Sequence, residues 1–419
     1  MATNYENAAA LVETPFSLRK YLYYSTLVSV FSGGVVLRVG IGFDLQPFQL
    51  MMIGNLFLML LLEQFSIPKR LILLALYLFA SGYIGIRNET DTTALFAKQF
   101  LGIVVSAFYF YNFFQLQDEQ IERAFHHYAI GAYWASIAGF PILAIQVAVH
   151  YWHYRLQSVF GEPSYYAMVC IPALYYFAYH WLVHRKYGRQ VVVMLVAFAF
   201  SVSSLAVLGI ALGLLLLLSR YRFWRLAAPL LIAGFIGMVL LASQEFRIRV
   251  FDTVAALQKS DVEDTNLSTF ALISNMFVTQ RVLEDSPILG HGLGSHPMSH
   301  TRYLEEIPGI QSFIDMDVER LNATDASSLF LRSLSDLGLL GLIGILVFIW
   351  YFHVPGHGPP AQISNAILIY FFLKLLRSGI YFGPEQFFFI LVYILNFRQF
   401  KAQQELSGGI LVANKRPVG

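Results

Sequence analysis

Charge is what this sequence has least of. Lysine, arginine, aspartate and glutamate make up 13% of its 419 residues, against 57% hydrophobic and 16% aromatic, which excludes an ordinary soluble globule and points to a polytopic helical membrane protein. Cysteine is nearly absent: the one residue, Cys170, lies inside an apolar run and excludes an internal disulfide framework. A basic face is missing as well. The formal net charge is only +2, the lysines and arginines fall in short clusters between apolar runs, and nucleic acid is excluded as a partner. No Walker loop, Rossmann fingerprint, Ser-His-Asp spacing or carboxylate pair of nucleotide-sugar chemistry occurs, so a nucleotide donor is not expected. There are no internal repeats.

What is present is a series of apolar runs, at 21–37, 47–62, 71–86, 95–115, 128–150, 164–183, 190–203, 205–219, 223–243, 329–352, 362–380 and 384–398. They predict an all-α polytopic integral membrane protein of about 12 transmembrane helices with one large structured periplasmic loop. One helix over 190–219 would be about 45 Å long, more than a hydrocarbon core of about 30 Å accepts, so the SVSS run at 201–204 is the expected break. The leading segment is polar for too long, and its basic pair Arg19 and Lys20 comes too late, for a cleaved signal; an uncleaved first helix after a cytoplasmic lead is expected.

Orientation follows from the cations. With a cytoplasmic N-terminus, Lys69, Arg70, Arg123, Arg185, Lys186, Arg189, Arg220, Arg398 and Lys401 all fall inside, while the short outer loops hold only Arg38, Arg87 and Arg155. The expected divisions are a lead at 1–20, nine spans in 21–243, the outer loop at 244–328, three spans in 329–398 and a cytoplasmic tail at 399–419. The loop carries thirteen of the 26 acidic residues and six basic ones. Helix-like stretches near Val250–Gln258 and Phe270–Leu283 mark it as more than a connector.

Three groups of residues carry chemical potential. The first is SPILGHGLGSH, beginning at Ser286: Pro287 with Gly290, Gly292 and Gly294 describes a sharply turning chain whose uncovered N–H groups suit a phosphate or sugar. The plainer reading is a glycine turn that ends a helix. The second is RLQSVFGEPSYYA, where Arg155 precedes a Gly161–Pro163 turn and Glu162 stands at the mouth of a helix, as a cap or as a base. The third is a set of cations within or at the ends of apolar spans, Lys98, Arg332, Lys374 and Arg377, each costing several kcal/mol in hydrocarbon unless paired, snorkelling or facing a wet cavity. Convergence of the four on the outer side would make a basic cavity suited to a pyrophosphate. His291, His296 and His300 follow no metal-ligand spacing. Neither a metal nor another cofactor is expected. Gly338, Gly341 and Gly344 read as a stripe for close helix packing, and Asp336 beside them as a cap or ion-pair partner.

Taken together, SPILGHGLGS, the long polar loop, the EPS turn and SLFLRSLSDLGLLGLIG resemble the bacterial O-antigen polymerase and ligase superfamily of integral membrane glycosyltransferases. The resemblance spans about Arg155 to Gly341. It implies a multi-pass protein of the bacterial inner membrane that handles undecaprenyl-pyrophosphate-linked oligosaccharides within the lipid bilayer, with a chain-length regulator and a flippase as further partners. Where the ligase branch carries a His-Asn pair, this chain has Ser327 and Ser328, which favours a repeat-unit polymerase. On that reading Glu162, Arg155 and Arg281 are the catalytic candidates. Arg332, Lys374, Arg377, Gly290, Gly292, Gly294, His291 and Arg302 are the substrate-binding ones. A ligase passing polymer to lipid A core is the near alternative. From another class, a lipid-linked sugar transporter or flippase would use Lys98 and Lys374 as substrate or proton sites.

Overall fold

The structure, a computed structural model, describes residues 17–33, 37–39, 43–45, 47–61, 65–88, 93–117, 120–150, 155–219, 234, 251, 254–255, 262–263 and 265–413. The chain is helical apart from one short antiparallel ribbon, β1 (Leu37–Val39) with β2 (Phe43–Leu45), in the register Leu37 to Leu45. That ribbon leaves the all-α expectation standing but shortens the first span: α1 runs Leu18–Ser29, started by the Ser17 hydroxyl accepting from the Lys20 N–H at 3.2 Å, and does not reach residue 37.

There follow α2 (Pro47–Leu61), α3 (Lys69–Asn88), α4 (Thr93–Leu116), α5 (Ile121–His150), α6 (Pro163–His184), α7 (Gly188–Ser201) and α8 (Ser204–Leu218). The division of 190–219 falls at Val202, whose φ of 44° is left-handed, and Ser203, which is extended. Six helices among the described residues are long and apolar enough to cross a membrane: α3, α4, α5, α6, α12 (Leu329–Tyr351) and α13 (Pro359–Leu376). The expected span at 223–243 and most of the helix near 250–258 lie outside the described residues. The last helix, α14, runs Pro384–Ala413, through the expected span and into the expected tail.

Before α12, the second half of the long loop folds on itself. Here α9 (Leu267–Asp285) is capped by the Asn266 side chain, which accepts from the N–H groups of Ser268 and Thr269 at 3.1 Å each. The short α10 (His296–Tyr303) and α11 (Gln311–Asp315) follow. Phe270, Ile273, Val278, Val282, Ile307, Ile310 and Phe313 form a small core of their own, with Phe270 and Phe313 stacked at 3.9 Å. Burying such side chains contributes roughly 1.5–3 kcal/mol each, enough for a structured body rather than a tether. It docks through α9 on α12.

Candidate functional site

One end of the bundle gathers the C-terminal end of α3, the starts of α4, α6 and α12, and the α13–α14 connection. The glycine turn meets three of these, α3, α4 and α12. Gly290, Gly292 and Gly294 all have positive φ, as does Gly338 inside α12, where a φ of 64° and ψ of −164° break the helix. A Cβ at Gly292 would lie 2.5 Å from the Gly85 nitrogen of α3, and one at Gly338 would lie 2.3 Å from the Ile288 carbonyl oxygen. Backbone meets backbone at this contact, which is why side chains are missing there.

The N–H groups of the turn are not uncovered. Gly290 donates to the Ser286 carbonyl at 3.0 Å, His291 to that of Ser335 and Gly292 to that of Asp336, both at 2.9 Å. Gly294 and His296 donate to the Asp336 carboxylate at 3.1 and 2.9 Å. The expectation of an anion cradle at Gly290–Gly294 is therefore corrected: Asp336, an internal anion, already occupies it. The glycine stripe on α12 is corrected as well, because Gly338 forms the break while a Cβ at Gly344 would meet nothing within 4 Å.

Asp336 also pairs with Arg332 one turn earlier, Nε to Oδ2 at 3.3 Å, both side chains being buried. Arg332 Nη1 donates to the Gly379 carbonyl at 3.0 Å, its guanidinium lies 4.7 Å from the centre of the Tyr381 ring, and Nη2 has no hydrogen-bond partner among the described residues. A second buried pair lies on the other side of the α13–α14 connection. Lys374 Nζ is 3.3 Å from Glu385 Oε1, and Glu385 further accepts from the hydroxyls of Tyr165 at 2.5 Å and Tyr370 at 3.0 Å. The Lys374 ammonium also feels the charges of Asp325 and Arg332. Removing one partner of such a buried pair leaves an uncompensated charge, at a cost of about 3–5 kcal/mol.

Arg377, on the same connection, reaches the surface and meets Glu162 at 3.7 Å, the two side chains being 27% and 50% exposed. Glu162 occupies the cap position of α6, with Pro163 at the first helical position, but makes no side-chain capping bond. Arg155 is half-buried in the segment before α6, where the N–H of Leu156 donates to the Phe200 carbonyl at the end of α7.

The structure thus brings Arg332, Lys374, Arg377 and Glu162 to one seam, and leaves other candidates elsewhere. Arg281 is held on the surface of the loop body by Glu284 at 3.0 Å and Glu306 at 3.1 Å. Arg302 stands exposed with its guanidinium 5.3 Å from the Tyr303 ring, and His291 Nδ1 contacts the Ser299 hydroxyl at 3.0 Å. Lys98 faces outward on α4, where snorkelling suffices, so three and not four of the membrane cations converge.

Sequence reasoning missed Glu385, whose position two residues after Gly383 reads as an ordinary first-turn acid, and the buried histidines of α10. His296 bridges Ser335 at 2.9 Å and Asn275 at 2.8 Å, and Asn275 continues to Ser327 at 3.3 Å. Burial, with the charges of His300 and Arg332 adding, holds the His296 imidazole well below its ordinary range; burial and Arg320 draw His300 down to about 4.

Fold and site together define a multi-pass helical membrane protein with ion pairs buried at one end of its bundle. Residues 190–346, from α7 through the glycine turn to the far side of the α12 break, match the model of a family described as O-antigen ligase, which supports the resemblance to the O-antigen polymerase and ligase superfamily. No curated protein matches the chain significantly.

Proposed function

We propose that the chain is a polymerase that joins undecaprenyl-pyrophosphate-linked oligosaccharide repeat units at the periplasmic face of a bacterial inner membrane. The observation that carries this reading is the seam itself: Arg332, Lys374 and Arg377 gather beside a half-exposed carboxylate, Glu162, in a chain whose superfamily handles lipid-linked polysaccharide. A hydroxyl of the acceptor unit attacks the anomeric carbon of the growing chain. Its proton goes to Glu162, the new glycosidic C–O bond forms, and the bond to the pyrophosphate breaks with its electron pair on the departing oxygen. Fixed cations stabilise that leaving group more than an acid would.

Arg377, at the surface beside Glu162, is what an arriving pyrophosphate meets first. Arg332 and Lys374 stand behind it against the 377–383 connection, at the Gly379 carbonyl and the Ser378 hydroxyl. The loop candidates Arg281, Arg302 and His291, with the glycine turn, then border the path of the sugar chains.

The test uses a strain lacking the gene, complemented with wild type or with Glu162→Gln. The amide keeps the shape of the side chain, and the ion pair it loses is exposed enough to be worth about 1 kcal/mol or less, so matched protein levels are expected. Wild type restores long chains and Glu162→Gln leaves single repeat units. Long polymer retained on the lipid carrier in the deletion strain, with none passed to lipid A core, would make the protein a ligase instead.

A further inference from the structure

We propose that Asp336 is a positioning residue for the leaving-group site, aiming Arg332 at the pyrophosphate and tying that aim to the seating of the glycine turn. The inference rests on the reading above that Arg332 meets the pyrophosphate. Both carboxylate oxygens of Asp336 are engaged from the loop side: Oδ1 accepts from the His296 N–H at 2.9 Å and lies 3.5 Å from the Ser295 hydroxyl, and Oδ2 accepts from the Gly294 N–H at 3.1 Å. Oδ2 also receives Arg332 Nε at 3.3 Å. A carboxylate free to rotate would offer a guanidinium no fixed direction; three loop donors remove that freedom. Arg332 is then fixed at two of its three nitrogens, Nε by Asp336 and Nη1 by the Gly379 carbonyl, and Nη2 alone is left to donate.

The α12 break contributes to the same geometry. Past Gly338 the N–H groups of Leu339 and Leu340 donate to Pro287 and Ile288 of the turn, at 3.0 and 3.1 Å. The turn is therefore held on both sides of the break, and a turn that lifts releases Asp336 and Arg332 with it.

The test is calorimetric titration of inorganic pyrophosphate into the purified full-length protein in detergent, for wild type, Arg332→Gln, Asp336→Asn and the double variant. Arg332→Gln is expected to bind at least tenfold more weakly. Asp336→Asn, whose amide oxygen still accepts a turn N–H, is expected to lose a comparable factor. The double variant should bind no more weakly than Arg332→Gln, because both losses run through one nitrogen. Unchanged affinity in Asp336→Asn, losses that multiply in the double variant, or wild type that does not bind pyrophosphate would each overturn the inference. Should Asp336→Asn fail to fold, Asp336→Glu serves. It keeps the charge and the turn's donors while pushing the guanidinium away from Gly379, and wild-type affinity in that folded variant would also overturn the role. Polymer length in cells is read separately. A protein with this binding pattern that transfers finished polymer loses the polymerase reading and keeps the positioning role.

Discussion

At the scale of residues, burial decides which charges are available. His300 is fully buried on α10, neither ring nitrogen has a hydrogen-bond partner among the described residues, and its pKa is drawn down to about 4 by burial first and Arg320 second. An unfolded histidine titrates near 6.5. Below that pH the unfolded chain takes up a proton that the folded loop body refuses until about 4. The contribution is therefore complete above about 6.5 and is lost as pH falls towards 4, by at most about 1.4 kcal/mol per pH unit for each such histidine. Corrected for the intrinsic pH dependence of amide exchange, the protection factors of residues 262–328 should fall between pH 6.5 and 4.5, and His300→Leu should flatten that fall; protection factors constant over the range would contradict it. Part of this scale was legible beforehand. The i, i+4 spacing of Arg332 and Asp336 and the i, i+3 spacing of Arg281 and Glu284 can be read from the chain. The bonds from Gly294 and His296 to Asp336 cannot, because they cross about forty residues that no periodicity relates.

Elements were legible where hydrophobic period and chain breakers agree. The division between α7 and α8 follows from helix length alone, and α9 contains the stretch expected at 270–283. The glycines of α12 were read by spacing, and spacing misled, because what Gly338 supplies is a conformation. With φ at 64° and the Ile288 carbonyl against it, Gly338→Ala combines backbone strain of about 1–3 kcal/mol with a backbone clash. That variant should unfold at markedly lower temperature in detergent and lose loop docking, seen as faster tryptic cleavage after Arg281 and Arg302, the basic residues that flank the turn. Gly344→Ala, with open space around it, should match wild type in both measurements. Equal behaviour of the two variants would show that the break is not what seats the turn.

At the scale of the whole molecule, the described helix ends sort into two sets. The seam residues lie at one end of the bundle, while Lys69, Arg70, Arg123, Arg185 and Lys186 border connections at the other. Cation bias then predicts that the loop body is periplasmic. Asp315→Cys should react with an impermeant thiol reagent in cells with a permeabilised outer membrane, and Arg185→Cys only after lysis; native Cys170 is buried. Labelling in the reverse order would invert the topology. In the proposed orientation, the docking of the turn on α12 also has a consequence for biosynthesis. Gly294 leaves the ribosome 42 residues ahead of Asp336, about 2–8 s at ordinary synthesis rates. Until α12 emerges and inserts, the N–H groups of His291, Gly292, Gly294 and His296 have water in place of their α12 partners. The loop body can close around Phe270 and Phe313 in that interval, but its attachment, and with it the arrangement of the seam, waits for a helix still being made.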